Sequence, residues 1–203
     1  MFTLKHVAVA LGLTVAALSA FVASRPDTFY VERSASISAP ADVIYTQVGD
    51  FHNWNAWSPW DALDPSMKKV YEGENNRPGA SYFWEGNDKV GSGRMTIVDA
   101  NPPSQLSIKL EFIKPWPGTN DTRFAFTPDG DKTKVTWSMS GKANFMMKAM
   151  TVFMNMDKMV GGDFERGLKK LGEVAESAHA RRAAEAKATA VPPAAAPPAS
   201  PAP

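Results

Sequence analysis

Few side chains in this sequence are suited to acid–base, nucleophilic or metal chemistry. There is no cysteine among the 203 residues, which excludes disulfides, thiolate catalysis and cysteine metal sites. Of the three histidines, His6 and His179 lie near the ends and only His52 is interior. A Ser-His-Asp triad or a histidine metal cluster therefore has no spare candidate. His52 alone reads as a surface or packing residue. A general acid or base would have to come from Glu72, Glu85 or Asp99, the carboxylates that fall on strand-like stretches. Each would need burial to shift its pKa toward the working range, and each sits equally well on a solvated sheet face. No catalytic residue, metal ligand or cofactor is assigned.

The distinctive chemistry is apolar. Six methionines crowd one stretch: Met146, Met147, Met150, Met154, Met156 and Met159. Methionine fills irregular gaps and adapts to varied partners, so the stretch reads either as core packing or as the wall of a deformable cavity. Trp54, Trp57 and Trp60 stand three apart, with Ser58-Pro59 breaking the run. Tryptophan anchors packing over a large area. The trio reads either as a plug closing one end of the core or as an aromatic rim around a ligand entrance.

The elements that would position these residues follow from periodicity. From Ala143 to Ala178 apolar residues recur at helical spacing, through Met146, Met150, Phe153, Val160, Phe164, Leu168, Leu171 and Ala175. One long helix is expected. Gly161-Gly162 lies within it, at about 1 kcal/mol per glycine relative to alanine, and allows a bend, a close approach or a split into two helices. The preceding chain reads as strands: Phe29–Ala39, Met67–Gly73, Ala80–Glu85, Val90–Ala100, Gln105–Ile113, and a hairpin of Asp121–Pro128 and Lys134–Ser140 around Asp129-Gly130-Asp131. Gln105–Ile113 alternates most cleanly, with Leu106, Ile108, Leu110 and Phe112 on one face. Short loops and alternating faces indicate an antiparallel meander. Pro40 suits the first turn of a helix over Ala41–Val48, and Asp50 or Asn53 can cap a second short helix.

The ends have other compositions. Val7–Ala23 is nearly unbroken apolar sequence between Lys5 and Arg25-Pro26. It is read as an N-terminal membrane anchor, with a signal segment cleaved after Ser24 as the alternative. Either reading exports the domain. After Ala178 the chain turns to alanine, proline and a few charges, and a disordered tail is expected. The organisation is then residues 1–25 as anchor or signal, 28–178 as the domain and 179–203 as an Ala/Pro-rich tail. A net charge of +1 gives no footprint for nucleic acid.

Strands interrupted by helices and followed by one long C-terminal helix suggest an α+β helix-grip fold. The sequence resembles bacterial members of the START/Bet v 1-like superfamily, in the polyketide cyclase/dehydrase and lipid-transport (SRPBCC) group. The resemblance rests on Val31-Glu-Arg-Ser34, Ile37-Ser-Ala-Pro40, Asp50-Phe51, Trp57-Ser-Pro-Trp60 and Asp64-Pro65. It continues in Tyr71-Glu-Gly73, Trp84-Glu-Gly-Asn87, Val90-Gly-Ser-Gly93 and Gly162-Asp-Phe-Glu165. It implies a curved antiparallel sheet wrapped around the C-terminal helix, with an apolar cavity between them that holds a lipid-like or polyketide-like molecule. It carries no shared catalytic set.

The residues expected to face that cavity are Trp57 and Trp60 at the entrance, Trp84, Met95 and Ile97, then Ile108, Leu110 and Phe112, and finally Trp137, Met150 and Phe153. Alternation alone does not decide between Trp84 and Phe83. The leading reading is a binding module for a hydrophobic small molecule, attached to a bacterial inner membrane through residues 7–23 with its domain outside the cytoplasm, or periplasmic or secreted after cleavage. A cyclase/dehydratase-type enzyme and a ligand-free structural domain are the alternatives, and the cavity volume separates them.

Overall fold

A computed structural model describes residues 4–153 and 155–189, apart from the side chains of 4, 146, 153 and 156. Its architecture is the expected α+β helix-grip: seven antiparallel strands in one curved sheet, closed by a long C-terminal helix. The strands are β1 (Thr28–Ile37), β2 (Lys68–Glu72), β3 (Ser81–Glu85), β4 (Ser92–Asn101), β5 (Gln105–Lys114), β6 (Gly118–Asp129) and β7 (Lys132–Lys142). Their order is β1-β7-β6-β5-β4-β3-β2, so the meander from β2 to β7 ends beside β1. Every expected strand is present within a few residues. The β6–β7 turn is built at Asp129-Gly130, where Gly130 has φ of 64° and a side chain would be strained.

Four helices accompany the sheet: α1 (Leu4–Ala23), α2 (Ala41–Gly49), α3 (Phe145–Phe153) and α4 (Met156–Thr189). Pro40 is the residue before α2 rather than its first turn. Asp50 opens a short 3-10 helix, Phe51–Ala56, by accepting a hydrogen bond from the His52 N–H at 3.0 Å. His52 is a surface residue, stacked on Tyr71 with ring centroids 4.0 Å apart.

The single helix expected over Ala143–Ala178 is instead two. The break is not at Gly161-Gly162 but just ahead of α4, because asparagines start both segments. Asn144 Oδ1 accepts from Met147 N at 2.8 Å, and Asn155 Oδ1 accepts from Lys158 N at 3.0 Å. Each satisfies an amide that a helix start leaves unpaired. The apolar stripe is thereby divided. Phe164, Leu168, Leu171 and Ala175 of α4 are buried on the sheet, whereas α3 packs against α1. Met154 lies outside the described residues, as do the side chains of Met146 and Met156.

The glycine pair has a different use. The Arg33 guanidinium crosses α4 at Gly161, in the space a Cβ would fill. From there its Nη1 reaches Asp157 Oδ1 at 2.9 Å and its Nε reaches Glu165 Oε1 at 2.7 Å. This cluster fastens the first turns of α4 to β1.

Helix α4 also continues to Thr189, past Ala178, where the disordered tail was expected to begin. The segment from His179 to Lys187 is mostly alanine, arginine, glutamate and lysine, all strong helix formers. Arg182 Nη1 lies 3.1 Å from Asp42 Oδ2 of α2. The rest of the expected tail, residues 190–203, lies outside the described residues. Within α1, the 19 residues Lys5–Ala23 are long and apolar enough to cross a membrane; at 1.5 Å per residue they span roughly 28 Å.

Candidate functional site

The concave side of the sheet holds a tightly packed aromatic cluster at one end and an open space at the other. The cluster follows from the tryptophan spacing. Trp54 and Trp57 sit on and just after the 3-10 helix, with centroids 4.6 Å apart, and both are buried. Their indole N–H groups donate to the carbonyls of Val48 at 2.8 Å and Gln47 at 3.1 Å, which ties the cluster to α2. Trp137 lies between strand and helix. It stacks on Phe164 of α4 at 4.0 Å and 8°, and on Phe124 at 4.8 Å. Such flat pairs fix ring position as well as burying area.

Beside this cluster, between the sheet and the start of α4, is a cavity of about 300 Å³. Trp84, Met95, Leu110 and Phe112 line it from the sheet, and Met159, Val160 and Phe164 from α4. Trp60 and Trp137 form the boundary with the aromatic cluster. Trp84 is therefore the inward member of the Phe83–Trp84 pair. Its position depends on Gly93, its partner on β4, because the ring lies across the glycine. Its Nε1 donates to Val90 O at 3.1 Å, which holds the loop between β3 and β4 at the cavity rim. Asp64 holds the same loop from the other side: Oδ2 accepts from Asn87 N at 2.8 Å and Oδ1 from Ser66 Oγ at 2.7 Å. These bonds keep the Asp64 carboxyl below its ordinary pKa, with the Ser66 hydroxyl contributing most.

Six of the expected residues, Trp60, Trp84, Met95, Leu110, Phe112 and Trp137, are brought together on the cavity wall. The others are placed elsewhere. Trp57, Ile97 and Ile108 are fully buried in the core and do not line the space. Trp57 thus acts as the plug and Trp60 borders the opening. Met150 sits on α3, away from the cavity, on the helix that packs against α1. Phe153 ends α3, and its side chain lies outside the described residues.

The polar groups around the cavity are few. Asp61 is buried at its wall, with Lys69 Nζ 2.6 Å from Oδ1. Nothing in the sequence marks Asp61 out except its place after Trp60. Tyr82 is buried with its hydroxyl 3.9 Å from Met67 Sδ, and burial, reinforced by the nearby Asp61 charge, pushes its phenol pKa far up. It is a neutral group at any physiological pH. Trp137 Nε1 and Thr122 Oγ1 are buried without hydrogen-bond partners. Glu72, Glu85 and Asp99, the carboxylates singled out by strand position, are all on the solvated side. Among the described residues no group of three or more histidine, cysteine, aspartate or glutamate side chains is arranged to hold a metal ion.

A larger hollow of about 520 Å³ lies on the outer face of the sheet, floored by Thr136, Ser138 and Ser140 and edged by Glu32 and Arg123. Its lining mixes hydroxyl and charged side chains with Tyr30, Val98, Ile108 and Ala125, and every lining residue comes from a strand, so no second layer closes over it.

Comparison with known proteins agrees with this fold. The family described as polyketide cyclase / dehydrase and lipid transport matches residues 28–176. No curated protein matches the chain. Among solved structures, a protein from Chromobacterium violaceum is similar at TM-score 0.53 and 15% identity, over 75% of this chain and 99% of that one. One from Thermobifida fusca is similar at TM-score 0.55 and 21% identity, over 73% and 94%. The di-domain ARO/CYC protein StfQ of the steffimycin biosynthetic pathway is similar at TM-score 0.52 and 12% identity, over 77% of this chain and 52% of that one. At these identities the likeness is one of fold.

Proposed function

We propose, because this chain belongs to the polyketide cyclase / dehydrase and lipid transport family, that it binds a hydrophobic small molecule, lipid-like or polyketide-like, between the sheet and α4. The observation that carries this reading is the apolar cavity of about 300 Å³. That volume is at the lower end of the range for ligand pockets. It suits one acyl chain or one fused-ring system rather than a whole diacyl lipid. Trp60, Trp84, Met95, Leu110, Phe112 and Trp137 are the proposed contacts, and burial of apolar surface is the driving force, at about 25 cal/mol per Å². The binding domain occupies residues 28–178. Helix α1 is proposed to anchor it in the inner membrane with the domain outside the cytoplasm, the alternative being release after cleavage.

Native mass spectrometry of the full chain purified from its own membranes tests the reading. The wild type should carry an apolar molecule, and Val160→Trp, which fills the cavity from α4, should lack it while keeping its circular dichroism. An empty wild type, or a ligand retained in the variant, overturns the proposal. A second reading, cyclisation of a bound substrate, draws on the buried Asp61 carboxylate at the wall. It requires Asp61→Asn to abolish turnover of the bound molecule without releasing it.

A further inference from the structure

The cavity opens toward one end of the sheet, and the elements at that end share a character. Helix α1 stops at Ala23, just before β1 begins at Thr28, and Thr28 pairs with Lys142 at the end of β7. The β5–β6 loop is at the same end, since Phe112 pairs with Gly118 and Asn120 with Gly141. This loop carries Trp116, 60% exposed, three residues after Ile113 near the end of β5, 47% exposed. Phe145, at the start of α3, is 56% exposed. Two strand-end lysines, Lys114 and Lys142, flank these apolar side chains. Among the described residues the opposite end offers no such set: its β6–β7 turn is Asp129-Gly130-Asp131.

Exposed tryptophan and phenylalanine beside lysine is the composition that settles at the boundary between headgroups and acyl chains. The position fits as well. Lys148 of α3 pairs with Asp27 and donates to the Ala23 carbonyl at 3.3 Å, which fastens α3 to the last turn of α1. That turn is the end of the one described helix able to cross a membrane. The cavity rim is adjacent, because Ser92, two residues after Val90, pairs with Lys114.

We propose that the β5–β6 loop, through Trp116, and the end of β5 before it, through Ile113, with Phe145 beside them, form a second membrane contact that seats the cavity mouth against the bilayer surface. An apolar guest then passes between bilayer and cavity without crossing open water. The proposal rests on α1 lying in the membrane, and the test reports the two separately.

The chain has no cysteine, so single cysteines can be labelled with an environment-sensitive fluorophore without a competing thiol. The full chain carrying Trp116→Cys, Ile113→Cys, Leu13→Cys or Asp131→Cys is reconstituted into phosphatidylcholine vesicles, and into vesicles of equal parts phosphatidylcholine and phosphatidylglycerol. Lipids spin-labelled near the headgroup or at mid-chain serve as quenchers. Labels at 116 and 113 should lose fluorescence to the headgroup-proximal quencher, the label at 13 to the mid-chain quencher, and the label at 131 to neither. Quenching at 13 but not at 116 or 113 overturns the second contact and leaves the anchor standing. No quenching at 13 removes the anchor and the proposal together. A blue-shifted label at 116 that no lipid quenches assigns the loop to a protein partner and also overturns the proposal.

Discussion

Replacing Gly93 by alanine joins the fold to the cavity in one substitution. A Cβ at 93 would stand 2.5 Å from Trp84 Cζ2 and 2.5 Å from the Glu111 carbonyl oxygen. Neither neighbour yields easily. The carbonyl belongs to β5, which is paired with β4, and the Trp84 ring is held by its bond to Val90 O and by an edge-on contact with Phe112, centroids 6.0 Å apart. Overpacking of this kind costs about 1–3 kcal/mol, and loss of the indole hydrogen bond about 1 kcal/mol more. Alanine recovers about 0.5–1 kcal/mol of the backbone entropy that glycine loses on folding. The balance is a destabilisation of about 1–3 kcal/mol, on the order of 5 °C in Tm for a domain of this size. Because the ring that must move is a cavity wall, binding of the co-purified molecule should weaken in parallel. The assay is thermal unfolding of the full chain in detergent, followed by tryptophan fluorescence, with Gly118→Ala as reference. No atom lies within 4 Å of a Cβ at 118, so that change should stay within about 0.5 kcal/mol. If Gly93→Ala matches Gly118→Ala in both unfolding and ligand retention, Trp84 does not depend on the glycine and the account of the wall is wrong.

Two further outcomes follow from the same geometry. Phe164→Ala removes a ring that is 1% exposed and stacked on Trp137; it should cost about 3–5 kcal/mol in denaturant unfolding and, where the chain still folds, extend the cavity into the vacated space. The Asp157 carboxyl is held below its ordinary value of 3.8 by the Arg33 guanidinium. A depressed carboxylate pKa contributes stability that is complete above the unfolded value and lost as pH falls through the folded one. Amide exchange in the first turn of α4 should therefore accelerate as pH drops below about 4, after correction for intrinsic rates. Asp157→Asn should exchange fast at neutral pH and lack that step, and an unchanged profile in the variant would refute the clamp.

The strands were legible because their signal is local. Leu106, Ile108, Leu110 and Phe112 alternate whatever the sheet packs against, and Asp129-Gly130-Asp131 specifies its own turn. What the row could not reveal is where along its length the core stops and the cavity begins. Ile108 is sealed and Leu110 is not, a division set by where α4 and the aromatic cluster cover the sheet. The helix break was written in the sequence at Asn144 and Asn155, but the apolar period runs through both and masks it. The glycine pair was conspicuous, yet its partner Arg33 is more than a hundred residues away, so no local pattern identifies it. Trp57 and Trp60 differ in role because a short 3-10 helix and Ser58-Pro59 turn them in different directions, which three-residue spacing does not encode.

The guanidinium lying in the notch of Gly161 also decides how the entrance answers its surroundings. The start of α4 at the cavity mouth is held down partly by ion pairs open to solvent, whereas Leu168 and Leu171 further along are held by oil alone. Dissolved electrolyte weakens exposed ion pairs, over a screening length of about 8 Å at physiological strength, while excluded salts such as sulfate strengthen apolar burial. A rise in salinity thus loosens the Arg33 clamp at the start of α4 while the apolar seam behind it stays closed.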